Sequence, residues 1–361
     1  MKAAIISLGS VSSQMVVEAM KSYFDQVDMI QLREIEVDLG KDSGVYYQGK
    51  KFPDYDCVYV KGSFRYANLL CSISSMLEGK VAYLPLPSSA FTVVHNKLLT
   101  HLALEQHNIP MPRTYVSPNV DTAKALLKKV SYPIVMKFPE GTQGKGVMFA
   151  DSESSASSML DALGALNQPF IVQEYVESGG TDVRALVVGD NVVAAMRRRS
   201  KAGEKRANIH AGGTGEPVTL NRETFNLAVK TSKALGADVC GVDILEGPLG
   251  PVVIEANISP GLQGLSQVST IDIPKEIAKH FARKTKEFLA HKKMLGGKEV
   301  MKELDIDSLD NNPQELITTL KFKGNCVVIP EVMSKLAKLN EFDNYLIKVK
   351  KGRIEIEEFK I

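Results

Sequence analysis

The chain of 361 residues is 44% apolar and 24% charged, and its net charge is only +2. That length suggests about two to four domains with ordinary buried cores, and the balanced charge excludes a global pull toward nucleic acid or an anionic membrane surface. The four cysteines, Cys57, Cys71, Cys240 and Cys326, lack metal-ligand or redox-motif spacing and read as free thiols in a reducing cytoplasm.

The first residues, "MKAAIISLGSV", lack the apolar core and small-residue cleavage site of a signal peptide. "KAAIISLGS" reads as a buried strand and "SSQMVVEAMKSYF" as the helix after it, with Met15, Val16, Ala19, Met20 and Tyr23 at helical spacing. The serine-rich turn at 10–13 has no G-x-G-x-x-G pattern and is expected to cap that helix. "DMIQL" and "DCVYVKG" add strands, and the strand–helix–strand order implies an open parallel sheet. "LPLPSSAF" (84–91) marks a domain boundary, and "NKLLTHLALEQHNIPMP" is a helix stopped by Asn108 and Pro110. "YPIVMKF" is a strand, followed by the glycine-rich "PEGTQGKGV" and by "VMFAD". "PFIVQEYV", "DVRALVVG" and "NVVAAMRRRS" are three further strands, the last two joined by a Gly-Asp-Asn turn. "NRETFNLAVKTSKALG" is a helix capped by Asn221 and closed by Gly236, with Phe225, Ala228, Val229 and Leu235 inward. "ADVCGVDIL" and "GPVVIEANI" flank "EGPLG" as an antiparallel pair. "PKEIAKHFARKTKEFLAHKK" is a long amphipathic helix and "GGKEVMKELDIDSLDNNPQ" a polar linker. No stretch offers the roughly 20 uncharged residues of a membrane span.

Four features carry chemistry. Glu255 and Asn257 lie two apart at a strand end and so share a face. Asp243 lies on the neighbouring strand, where opposed residues stand about 5 Å apart. Two acids and an amide form a hard-oxygen set suited to Mg²⁺, and the absence of His or Cys argues against Zn²⁺. Read alone, these are equally three unrelated polar residues at strand ends. In "KFPEGTQGKGV", glycines 141, 144 and 146 allow close backbone approach, Thr142 and Lys145 can donate to phosphate, and Lys137 can reach the same anion. "QPFIVQEYV" suggests a strand running into a cleft where an adenine could bond to backbone groups, with Asp182 able to accept from a ribose. In "MRRRSKAGEKRANIHAGG", Arg197 and Arg199 share one strand face, Arg198 takes the other, and guanidinium forks suit carboxylate or phosphate. A charge run of this kind is more often a solvated face. In combination the four features describe a triphosphate and metal site without a P-loop.

"VMKFPEGTQGKGV", "IVQEYV", "DVRALVVGDNVVAAMRRRSKAGEKRANIHAGG", "GVDIL" and "VVIEANISPGLQG", in that order, closely resemble the ATP-grasp ligases of the RimK type, the α-L-glutamate ligases, over about residues 1–290. The resemblance implies an α/β fold with α+β subdomains: a parallel α/β pre-ATP-grasp domain at 1–90, a lid subdomain at 91–176 and a metal-bearing subdomain at 177–292; beyond it, polar, turn-rich composition reads as a linker at 293–313 and renewed alternation as a small β-rich unit at 314–361. By motif match, Lys97 and Lys137 contact phosphates, with Thr142, Gly144 and Lys145 in the loop above them. Glu174, Tyr175 and Val176 frame the adenine, and Asp182 holds the ribose. Arg206 and Asn208 reach the triphosphate or the reacting centre, and with Lys137 form the catalytic set. Asp243, Glu255 and Asn257 bind Mg²⁺, with Mn²⁺ as the alternative ion. Arg184, Arg197, Arg198 and Arg199 are candidates for gripping substrate carboxylates.

The implied reaction activates an acceptor carboxylate with ATP as an acylphosphate, which the amine of L-glutamate then captures. The acceptor is a protein terminus, a carrier protein or a small cofactor. Asn96, Arg197, Ala207 and Ala211 stand where the family's motif usually has Asp, Glu, Ser and Arg, which leaves the substrate open. Two other readings are an ATP-grasp kinase, which needs no amine substrate, and a non-catalytic ATP-binding regulator. The C-terminal stretch "NCVVIPEVMSKLAKLNEFDNYLIKVKKGRIEIEEF" is similar to the AbrB-type swapped hairpin. With 11 Lys/Arg against 12 Asp/Glu over 296–361, this unit is poorly equipped to neutralise nucleic-acid phosphates. It is expected to serve homo-oligomer formation or partner docking instead.

Overall fold

The computed structural model describes the chain except residues 42, 118, 139–145, 166–169, 200–213, 304–320, 324–325, 330–332, 335–336, 338, 340–344, 352 and 359–361, and the side chains of 293–303, 321–326 and 358. The chain divides into Met1–Gly297 and Lys298–Ile361.

The first unit begins with β1 (Lys2–Ser7), α1 (Val11–Met20), β2 (Gln26–Gln31), β3 (Ile35–Asp38), β4 (Gly44–Tyr47), β5 (Lys50–Lys51) and β6 (Cys57–Val60). Strands β2-β1-β6 form a parallel sheet, as the strand–helix–strand order predicts. Ala3 to Ile6 are wholly buried, the continuous apolar run of a strand covered on both faces. The Ser10 side chain accepts from Ser13 N, so the serine-rich turn is a helix cap. A small antiparallel sheet, β3-β4-β5, was not expected from the sequence, because its strands are short and mostly polar.

Three helices follow: α2 (Ala67–Leu77), α3 (Ser88–Val94) and α4 (Lys97–Gln106). The expected boundary at 84–91 is not a loose connection, since Leu86, Ala90 and Phe91 are buried in the first core. Asn96 caps α4, its Oδ1 accepting from Leu98 N and Leu99 N. The next elements are β7 (Thr114–Val116), α5 (Val120–Leu127), β8 (Ile134–Lys137), β9 (Val147–Ala150), α6 (Glu153–Ala165) and β10 (Ile171–Glu174). Their sheet runs β7-β10-β8-β9, antiparallel throughout. It has its own core, built on Leu127, Ile134, Met136, Leu160 and Val172.

The largest sheet comprises β11 (Thr181–Val188), β12 (Asn191–Arg199), β13 (Thr214–Pro217), β14 (Val239–Gly247) and β15 (Gly250–Asn257), with α7 (Arg222–Ala234) across it. Its order is β13-β12-β11-β14-β15, again antiparallel. Asn221 caps α7 and Gly236 follows it in the left-handed region at φ 65°. Leu227 and Ala228 are buried beneath α7, while Phe225 and Val229 are half-buried. After α8 (Gln263–Val268), helix α9 (Ile273–Glu303) runs past residue 292 into the segment expected to be a linker. Ile273, Ile277 and Phe281 of α9 join the first and largest sheets into one core, with the Phe281 ring edge-on to Tyr59 at 5.1 Å.

The second unit holds two antiparallel hairpins, β16 (Lys321–Lys323) with β17 (Cys326–Val328) and β18 (Tyr345–Lys350) with β19 (Arg353–Glu358). Among the described residues no helix is long and apolar enough to cross a membrane. Cys57 and Cys240 are buried free thiols and Cys71 is a half-buried one.

Candidate active site

Strands β14 and β15 turn back on each other at Gly247 and Gly250, and this hairpin places Asp243 opposite Glu255 and Gly241 opposite Asn257. The pairing shifts between Asp243 and Ile244. Such a bulge bends a strand locally and re-aims its side chains. Alternation and register put Asp182, Arg184, Arg198, Asp243, Glu255 and Asn257 on one face of the largest sheet.

The polar groups on this face are closely paired. Arg184 donates from Nε and Nη2 to the two oxygens of Asp243 at 2.7 and 2.6 Å. Arg198 Nη2 lies 2.9 Å from Asp243 Oδ2, and Arg198 also forks onto Asp182 at 2.6 and 2.5 Å. Burial alone would raise the Asp243 pKa, but the two arginines hold it down to about 2. Glu255 makes no hydrogen bond or ion pair among the described residues. Desolvation and the nearby Asp243 raise its pKa, against the pull of Lys97, Arg184 and Lys137.

The donor set fits a hard divalent cation. Three contacts use three of the roughly four lone-pair positions of Asp243, which leaves one for a metal. Glu255 keeps its carboxylate unbonded among the described residues, and the third member is an amide oxygen, Asn257 Oδ1, which accepts from Ser259 N at 2.8 Å and keeps a second lone pair. Among the described residues no cluster of three or more His, Cys, Asp and Glu side chains offers a different metal site.

The four-stranded sheet brings cations. Lys137 ends β8 and donates to Gln173 Oε1 at 2.6 Å. Burial pushes its ammonium down to about 8, with Glu255 opposing and Lys97 assisting. Lys97, at the start of α4, is shifted down by burial and up by Glu255. Both lysines therefore lie within electrostatic reach of Glu255. At the end of β10, Glu174 N–H donates to Arg113 O at 2.9 Å and Tyr175 N–H to Pro133 O at 3.3 Å. Among the described residues the Val176 N–H has no backbone partner. The Tyr175 ring meets Phe149 edge-on at 6.1 Å.

Several expectations change. Asp182 gives each oxygen to Arg198 and is 7% exposed, so a ribose would have to share it with that guanidinium. Arg198, 5% exposed, is spent on Asp182 and Asp243. Arg197 stands on the opposite face, paired with Glu246 at 2.7 Å beside Thr224 of α7, and alternation puts the exposed Arg199 there too. Of the four arginines, Arg184 remains at the acidic face with partial exposure. Gly141, Thr142, Gly144, Lys145, Arg206 and Asn208 lie outside the described residues.

The sequence reading also missed a clasp. Lys61 Nζ donates to Pro260 O at 3.1 Å, Gly62 N to Ser259 Oγ at 3.1 Å and Leu262 N to Ser12 Oγ at 2.9 Å. The start of α1 and the two residues after β6 thus fix the loop that follows Asn257. Burial pushes the Lys61 ammonium down to about 8. The signal was a lysine closing the apolar run "CVYV", where the strand meets another element.

The architecture has solved counterparts. The structure of ATP-grasp ligase PsnB with minimal precursor, Mg and ADP matches at a TM-score of 0.62 and 18% identity, over 79% of this chain and 98% of that one. The fold is therefore ATP-grasp. A Marinomonas protein named "Probable alpha-L-glutamate ligase" is 35% identical over 288 residues, 78% of this chain and 96% of its own length. The "Ribosomal protein bS6--L-glutamate ligase" of Salmonella schwarzengrund is 38% identical over 233 residues, 64% of this chain and 78% of its own length. The model of the RimK-like ATP-grasp domain matches residues 94–281. The chain belongs to the RimK-like ATP-grasp family and is an ATP-dependent, amide-forming ligase.

Proposed function

We propose that the enzyme adds L-glutamate to the carboxylate of a polypeptide acceptor, with ATP as the activating substrate. The observation that carries this reading is the pairing of Asp243 with Glu255 on a sheet face within electrostatic reach of Lys97 and Lys137. The polypeptide class is supported by the relative named for ribosomal protein bS6 and by the precursor bound to PsnB.

An acceptor carboxylate oxygen attacks the γ-phosphorus, the bond to the bridging oxygen breaks, and ADP leaves. The glutamate amine then attacks the acyl carbon, the carbon–oxygen bond breaks, phosphate departs and the amine loses a proton. In the first step two anions meet, and Lys97 and Lys137 offset their repulsion by facing the phosphates. Asp243, Glu255 and Asn257 would hold Mg²⁺ or Mn²⁺, which when bound neutralises charge between the phosphate oxygens. Val176 N–H and the Tyr175 ring would receive the adenine. Arg206 and Asn208 are assigned to the reacting centre, and Thr142, Gly144 and Lys145 to the cover that excludes water from the acylphosphate. Arg184 would meet a substrate carboxylate at the edge of the acidic face. Asp182 and Arg198 serve the fold, as a buried pair.

The test is ADP release with Mg·ATP and glutamate across a panel of acceptor peptides, with mass spectrometry of the products. A gain of one or more glutamyl units on one acceptor is the expected result. A phosphate-sized gain, or turnover without an amine, would move the assignment to a kinase.

The hairpin of β18 and β19 turns Ile347, Val349 and Ile354, which are 58, 71 and 56% exposed, to one face. A two-stranded hairpin is marginal alone, so this unit is assigned to self-association. A monomer in sedimentation at micromolar concentration would overturn that assignment.

A further inference from the structure

Gln173 lies on β10, 2% exposed, and its amide bonds in a single consistent sense. The Lys137 ammonium, 2.6 Å away, can only donate, so Oε1 of Gln173 must face it. Nε2 therefore points the other way, 2.8 Å from Thr114 Oγ1 and 3.2 Å from His101 Nε2. Thr114 gives its own proton to Pro112 O at 2.8 Å and so accepts from Gln173. His101 Nδ1 lies 2.7 Å from Lys97 O, and a carbonyl only accepts, so the imidazole proton is on Nδ1. Nε2 of the neutral ring is then the acceptor for Gln173. Each hydrogen bond in the chain has a clear donor and acceptor, and it runs from the backbone of Lys97 through two side chains to the ammonium of Lys137.

We propose that His101 and Gln173 are positioning residues for the nucleotide, holding the Lys137 ammonium in register with the helix start that carries Lys97, so that the two lysines meet the phosphates as a pair. The inference rests on the reading of Lys97 and Lys137 as phosphate ligands. Three features support it. The two lysines come from different elements, α4 and β8, and the described residues join them by this relay. Gln173 is buried beneath the site and touches Lys137 through the amide oxygen alone. His101 lies one helical turn after Lys97, at the spacing that puts both on one side of α4.

The relay works through geometry, so the test must separate positioning from folding. ATP KM and kcat would be measured on the full chain for Lys137→Ala, Gln173→Met, Gln173→Glu, His101→Leu and the double variant Lys137→Ala with Gln173→Met. Magnesium–ADP affinity by calorimetry and thermal melting would accompany them. Gln173→Met is expected to raise the ATP KM by about tenfold, the scale of one hydrogen bond to a charged group, with kcat changing less. Gln173→Glu keeps an oxygen for Lys137 but has no donor for Thr114 and His101 and sets a negative charge against the ammonium, so it is expected to raise KM at least as much as Gln173→Met. His101→Leu should raise KM by a smaller factor. In the Lys137→Ala background, Gln173→Met should add nothing, because residues acting through one contact are non-additive. A wild-type KM in Gln173→Met beside a raised one in Lys137→Ala, or additive effects in the double variant, would overturn the relay alone. An unchanged KM in Lys137→Ala would overturn the phosphate reading and the relay with it.

Discussion

On the four-stranded sheet, Lys137 is held by a neutral amide, Gln173, at 2.6 Å; on the largest sheet, Asp243 is held by two guanidinium groups, Arg184 and Arg198, at 2.6 and 2.9 Å. A neutral tether orients the lysine and leaves its whole charge for an incoming anion. Cationic tethers orient the aspartate but also neutralise it, so in the proposed site a metal would share its oxygens with arginine. Glu255 has no such tether among the described residues and feels Lys97, Arg184 and Lys137 only through space, so in the proposed site it is the acid that would draw a cation. The site thus separates an acid that positions from an acid that attracts.

That contrast can be broken by experiment. The largest effect is expected from Glu255→Ala, which removes the uncompensated acid: ADP release should fall on the order of a thousandfold, and Lys137→Ala should cost on the order of a hundredfold in kcat/KM. Near-normal turnover in either would end the assignment. Next is Asp182→Ala, which leaves Arg198 buried with one partner fewer. It should lower stability by about 3 kcal/mol in urea unfolding, whereas an exposed or dispensable Asp182 would leave the midpoint unmoved. Arg184→Met releases part of Asp243, so magnesium affinity, followed through ADP binding, should rise by a few-fold, about 1 kcal/mol for this partly exposed contact. Weaker magnesium binding would mean that Arg184 supports the metal instead of competing with it.

The smallest effect concerns protons. The Lys137 ammonium titrates at about 8, and bound phosphate favours its charged form and raises that value. Above pH 8 the free protein has lost part of this proton, so nucleotide binding should take one up. Calorimetry at pH 8.5 in buffers of different ionisation enthalpy should detect an uptake of less than about one proton, absent in Lys137→Met.

That β14 and β15 pair was legible from the Gly-Pro turn and two alternating runs, although a regular ladder from that turn would oppose Asp243 to Ile254 and the slip at Asp243 moves its partner to Glu255. The fate of Asp182 was not. The residues next to the β11–β12 turn pair Val188 with Asn191 and Val187 with Val192, and a regular ladder from there would set Asp182 opposite Arg197. The irregularity between Leu186 and Val187 moves the partner to Arg198. One residue of slip changes which arginine shares the acidic face, and nothing in "RALVVGDNVVAAMRRR" announces it. Gln173 was hidden for another reason: it lies within an apolar run and reads as core, and its role needs the fold to bring Lys137 and His101 to it. The four-stranded sheet has its own core, but residues 1–90 and the largest sheet share one, which apolar patterning alone does not reveal.

The clasp of Ser12, Lys61 and Gly62 on the loop after Asn257 sets a rule for engineering. Residues 12 and 61–62 and the segment 259–262 are distant in sequence yet form one exchangeable module. A chimera that swaps the first ninety or so residues with those of a relative should carry its own 257–262 loop along, or Asn257 will stand on a loop cut for another partner.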